Sequence, residues 1–66
     1  MAVAKTVEII SSSTESIEAA VREGVAKAGE TIQGIEGVWV KDTKAVVREN
    51  RISEWRVTLK ITFIVS

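Results

Sequence analysis

The sequence contains no cysteine, no histidine, no proline and no tyrosine. Without cysteine there is no disulfide and no thiolate metal site. Without histidine the common imidazole ligand, general base and proton shuttle are all missing. Nine Lys+Arg balance nine Asp+Glu. That balance excludes a strongly basic nucleic-acid module and an acidic tail. No apolar run approaches the ~20 residues of a membrane span, and the N-terminal segment lacks a signal-peptide core. The cysteine-free composition fits a cytoplasmic protein. What is present is a chain of 66 residues, 45% of them hydrophobic, too many for a disordered segment. A single domain of this size rarely gains more than about 3–5 kcal/mol from its own core, so it needs a staple or a partner. With the usual staples absent, self-association is the expected stabiliser.

The run from Val3 to Ile10 is rich in β-branched residues and reads as a strand. Val3, Lys5, Val7 and Ile9 share one face, with Lys5 near the strand's start packing its stem and sending its ammonium to water. Ser11, Ser12 and Ser13 break this pattern just before a helical period. Ser12 with Glu15 has the spacing of a capping box, and Ser13 serves equally well as the N-cap. Ile17, Val21, Val25, Ala28 and Ile32 then recur at steps of three and four, with Ala20 and Gly24 beside them. This stripe predicts a helix over about residues 14–33, closed by Gly34 as the C′ residue. Gly24 sits close to the stripe, where it lets a strand approach.

From Val38 to Val47 the chain reads as a second strand. Val38, Val40 and Val46 fall on one face, interrupted by Asp42 and Lys44, and Trp39, Lys41, Thr43, Ala45 and Val47 on the other. Arg48-Glu49-Asn50-Arg51 supplies a turn, with Asn50 suited to a left-handed conformation. The third strand, residues 52–65, alternates Trp55, Val57, Leu59, Ile61, Phe63 and Val65 against Glu54, Arg56, Thr58, Lys60, Thr62 and Ile64. The expected class is α+β: a β-α-β-β subunit, three antiparallel strands wrapped around one helix, in a single domain over residues 1–66. Fully extended, residues 52–65 would span roughly 46 Å, against roughly 30 Å for the helix. One helix therefore leaves part of the apolar sheet face to be buried by other copies. Sheet edges without proline also need protection, which charges such as Arg56 and Lys60 provide in part. A homo-oligomer of closed symmetry follows.

Four segments carry a resemblance to a known family. They are V-x-K-x-V-E-I at Val3–Ile9, the serine-capped helix start at Ser13–Ala20, A-x-A-x-E-T-I at Ala26–Ile32, and W-R-V-T-L-K-I-T-F at Trp55–Phe63. Together they resemble the dodecins nearly end to end and without gaps. The resemblance implies twelve copies in a hollow sphere. It also implies flavins bound in pairs between aromatic rings near a three-fold axis, for storage or buffering and quenching. Two family positions differ here. The position of the flavin-stacking Trp is Gly37, and that of the Gln reading the flavin's polar edge is Arg56. An acidic residue that lies near the flavin's sugar-alcohol chain in the family is kept as Asp42.

The cofactor-binding set is therefore Gly37, Trp39, Asp42 and Arg56, for a flavin such as riboflavin, FMN or FAD. Trp39 lies two residues past Gly37 and so points to the same side. It can take over stacking, with Gly37 making room, or pack at a subunit interface. Trp55 reads as core or interface. Arg56 has donors and no acceptors. It cannot reproduce the paired donor and acceptor of a Gln amide, but it can hold phosphate or carboxylate, or bridge Asp42 or Glu54 across subunits. Asp42, Glu49 and Glu54 are too scattered for a calcium loop, so no metal site is expected within one chain. No catalytic residues are expected: Ser11–Ser13 have no histidine to activate them, and the four glycines form no phosphate loop. The chain reads as a non-enzymatic, flavin-binding homo-oligomer with a small aromatic ligand as partner and neither nucleic acid nor membrane. The alternative is a structural shell of the same fold that does not bind flavin, with an anion or metal ion on its symmetry axes.

Overall fold

The third-strand alternation decides the architecture. In a computed structural model that describes residues 2–65, Arg51–Ile64 (β3) is the central strand of a three-stranded antiparallel sheet. It is flanked by Ala4–Ser13 (β1) on one side and Ile35–Arg48 (β2) on the other. The order β1-β3-β2 gives each flanking strand an unpaired edge. Arg56 and Lys60 lie on the interior strand, so they do not guard an edge as the sequence suggested. Their place is the open face of the sheet.

Val57, Leu59 and Ile61 are fully buried and form the core with Ala20 and Ala28 of the helix Ile17–Gly29 (α1). The helix meets the sheet along a ridge shifted from the centre of the expected stripe, with Val21 and Ile32 still packed against the core. Ala20, Gly24 and Ala28 form the buried ridge, whereas Ile17 is exposed and Val21 and Val25 are half-buried. Small residues win because they let the helix axis come closer to the strands. A Cβ at Gly24 would sit 2.7 Å from Leu59 Cδ1 and 3.0 Å from Ser11 Cβ. The larger aliphatic residues are left turned partly outward.

The same close approach explains the serines. β1 runs through Ser13 instead of stopping at Ile10, with Ser11, Ser12 and Ser13 paired to Val57, Arg56 and Trp55. Ser11 is small enough to lie beneath Gly24. Ser13 is buried and its hydroxyl accepts the Glu15 N–H at 3.0 Å. The N-cap is Ser16, not Ser12 or Ser13; its hydroxyl accepts the Ala19 N–H at 3.0 Å. At the other end α1 closes at Gly29 with a tightened turn, in which the N–H groups of Thr31 and Ile32 both reach the Ala28 carbonyl. Gly34, at φ +79, belongs to the connector beyond it and accepts the Ile64 N–H at 3.0 Å.

β2 and β3 are joined by Glu49 and Asn50, both left-handed, at φ 51 and 63. This is the two-residue geometry that matches strand twist. β2 carries register shifts between Ile35 and Gly37, between Val40 and Asp42, and between Val46 and Val47. The second shift corrects the expected faces. The extra residue Lys41 moves Asp42 and Lys44 off the apolar face, and Thr43 and Ala45 take their places opposite Val57 and Trp55.

The molecule measures 51 × 19 × 14 Å. Its radius of gyration is 13.5 Å, against about 11 Å for a compact chain of this length. Its accessible surface is 4791 Å², against roughly 4100 Å² for a folded monomer of this mass. The helix, 13 residues long, covers only about 20 Å of the long axis. The hairpin therefore overhangs: Val47 is 61% and Ile52 is 52% exposed. Val38 and Val40, on the helix side of β2, are also exposed.

Candidate functional site

Strand alternation sends every second residue of β3 away from the helix. Register then assembles rows on that open face. Moving along β3, Thr62 lies between Thr6 and Gly37, and Lys60 between Glu8 and Trp39. Next, Thr58 lies between Ile10 and Asp42, and Arg56 between Ser12 and Lys44. All four expected residues, Gly37, Trp39, Asp42 and Arg56, thus share one face. The bulge at Lys41 is what keeps Asp42 with Trp39; unbroken alternation would have put them on opposite sides.

Trp39 is 60% exposed. The Lys60 ammonium lies 5.8 Å from its ring centroid, near the outer limit of a cation–π contact. A Cβ built on Gly37 meets nothing within 4 Å, and the position has no left-handed φ. Neither sterics nor backbone geometry requires glycine there, so the space beside Trp39 is open. Lys41 crosses the face to Glu8, with Nζ 3.5 Å from Oε1. Both groups are about half-exposed, and such a pair is worth at most about 1 kcal/mol.

Arg56 is held at one nitrogen by Glu54, 3.0 Å away. The Arg56 hydrogen bond, followed by one from the Ser12 hydroxyl, holds the Glu54 carboxyl below its ordinary range. The ion pair expected with Asp42 or Glu54 across subunits is thus formed within one chain to Glu54. Trp55 is half-buried on the helix side, apart from this face.

A separate cleft of about 240 Å³ opens where β1 meets the helix start, lined by Ser12, Ser13, Thr14, Glu15, Glu23 and Glu54. It contains none of the four expected site residues. Among the described residues no three acidic groups gather as metal ligands, and no helix is long and apolar enough to cross a membrane. The Trp39 face is an open platform, unlike the enclosed cleft of about 300–1,000 Å³ that engulfs a drug-sized ligand. Sequence reasoning passed over Lys44, Lys60, Thr58 and Ile10. The signal for Lys44 was its break in the apolar pattern, which becomes informative only once the bulge is known.

The dodecin family model matches residues 3–66. The chain belongs to the dodecin family. The dodecin of Thermus thermophilus is 31% identical over 59 residues, covering 89% of this chain and 86% of that protein. A crystal structure of a single-substitution mutant of that dodecin has a TM-score of 0.94 at 29% identity, over 100% of this chain and 98% of the other. The dodecin from Streptomyces davaonensis shares the fold, with a TM-score of 0.93 at 23% identity over 98% and 96% of the two chains. Dodecins are, as a family, small flavin-binding dodecameric proteins. The residues here meet a flavin's requirements unevenly. Trp39 offers a ring face and Asp42 an acceptor for hydroxyls. Arg56 offers donors alone to an edge that both donates and accepts.

Proposed function

We propose that this chain is a non-catalytic flavin-binding protein that stores or buffers flavin in a hollow homo-dodecamer in the cytoplasm. The exposed Trp39 ring beside the empty Gly37 position, on the face that also holds Asp42 and Arg56, carries this reading. In it, Trp39 side chains from neighbouring copies sandwich the ring system, Asp42 accepts from the hydroxylated chain, and Arg56 donates to a carbonyl or acidic group. Stacking on an aromatic face contributes about 1–3 kcal/mol per contact, by analogy with nucleobases. The open geometry of the single-chain platform fits a site closed only between copies. Flavin held against tryptophan loses its fluorescence, so titration of riboflavin, FMN and FAD gives a direct test. Quenching that Trp39→Ala abolishes supports the proposal. No quenching by any of the three favours the second reading, a structural shell that has given up flavin. That reading draws on the loss of both the Trp at position 37 and the Gln at position 56, and on the engagement of Arg56 by Glu54.

A further inference from the structure

One row of the open face carries a charge arrangement that strand pairing alone does not explain. Lys60 of β3 lies directly between Glu8 of β1 and Trp39 of β2. Opposite charges facing each other across a strand pair attract, so Glu8 is the natural partner of the Lys60 ammonium. Among the described residues Lys60 nevertheless makes no ion pair. Its ammonium lies over the Trp39 ring instead, 5.8 Å from the centroid.

Lys41 accounts for this. It is the extra residue of the β2 bulge, unpaired between Val40 and Asp42. β1 and β2 flank β3 about 10 Å apart, a gap that the stems of a lysine and a glutamate span together. Lys41 crosses it and sets its Nζ 3.5 Å from Glu8 Oε1. One carboxylate therefore has two lysines beside it, Lys60 opposite in the sheet and Lys41 from the bulge. The bulge lysine holds it, and Lys60 is left to the ring.

We infer that Lys60 is a positioning residue for the Trp39 ring, and that Lys41 keeps it in that role by occupying Glu8. The cation rests against the electron-rich face of the indole. It holds the ring over β3 and leaves the other face as the stacking surface. Without Lys41, Glu8 draws Lys60 away and the ring loses its support. Glu8 is thus a carboxylate exchanged between two ammonium groups, and the exchange sets how firmly the ring is held. The inference rests on the flavin reading for what the ring binds, and on the charge arrangement alone for how the ring is held.

The chain has two tryptophans, so a Trp55→Phe background reports on Trp39 alone. In the ligand-free protein, acrylamide quenching of Trp39 emission should rise in Lys60→Met, which keeps the stem and removes the charge. Lys60→Arg, which keeps the cation, should restore the parent value. Lys41→Met should raise quenching as Lys60→Met does. Adding Glu8→Gln to Lys41→Met should bring it back, since no carboxylate then competes for Lys60. Riboflavin affinity should follow the same order, falling about two- to fivefold where the ammonium leaves the ring, the range of an exposed cation–π contact. Unchanged acrylamide quenching in Lys60→Met or in Lys41→Met would overturn the inference, as would failure of Glu8→Gln to reverse Lys41→Met. A loosened ring that binds riboflavin as tightly as before would overturn its bearing on the site. The ligand-free measurements decide the positioning by themselves; absence of flavin binding to the wild-type protein would overturn the flavin reading separately.

Discussion

Two glycines in the same helix should respond in opposite directions to the same substitution. Replacing glycine by alanine in a helix interior gains about 1 kcal/mol of intrinsic propensity. At Gly29 the new methyl meets no atom within 4 Å. Gly29→Ala should therefore stabilise by a sizeable part of that amount, reduced because the position ends the helix. At Gly24 the methyl would lie 2.7 Å from Leu59 Cδ1 and 3.0 Å from Ser11 Cβ. Leu59 is fully buried, between Val57 and Ile61 on the same face, and has little room to rotate. Overpacking of this kind costs about 1–3 kcal/mol. Gly24→Ala should thus be neutral to about 2 kcal/mol destabilising, and clearly less stable than Gly29→Ala. Equilibrium urea unfolding at one fixed protomer concentration measures the difference, since self-association would link stability to concentration. If Gly24→Ala proved as stable as Gly29→Ala, the close helix–sheet approach would not be what fixes glycine at that position.

Other consequences follow from the same geometry. Gly37→Trp fills the space that the proposed site keeps open beside Trp39; a Cβ there meets no atom within 4 Å, so the fold should persist while flavin affinity falls, which titration by quenching would show. The pair Glu49→Asn with Asn50→Gly suits two left-handed positions better than the native residues and should stabilise by about 1 kcal/mol in urea unfolding. Glu54 has a folded-state pKa below its unfolded one. Its contribution is therefore present above the ordinary carboxylate range and lost as pH falls through the lowered folded value. Unfolding followed against pH should show Glu54→Gln with a shallower loss of stability on acidification than the wild type.

Period-two patterning was legible wherever one strand kept strict alternation. Trp55 to Val65 displayed it, and the strand, its buried face and the opposing polar face all follow from it. The helix was legible in place and only approximately in rotation. A hydrophobicity stripe weights Val21 and Val25 heavily, whereas packing favoured Ala20, Gly24 and Ala28 because distance of approach, not side-chain greasiness, limits helix–sheet contact. The capping serine was misplaced for a related reason. Ser11 and Ser13 look like breakers, yet in a strand beneath a close helix their small size is what fits. In β2, three register shifts erased simple alternation. The grouping of Trp39 with Asp42, and the meeting of Lys44 with Arg56, could emerge only from pairing. Strand order was likewise hidden, since the β2–β3 hairpin leaves open which side of it β1 joins.

The claim beneath all of this is that the overhanging hairpin and the outward-turned aliphatic residues of the helix are buried only between copies, and that the ligand site closes there. Molar mass by light scattering during size exclusion tests it most directly. The account predicts one sharp species of about 86 kDa, twelve chains of 7.2 kDa each. A folded, soluble species of 7.2 kDa at micromolar concentration would contradict it.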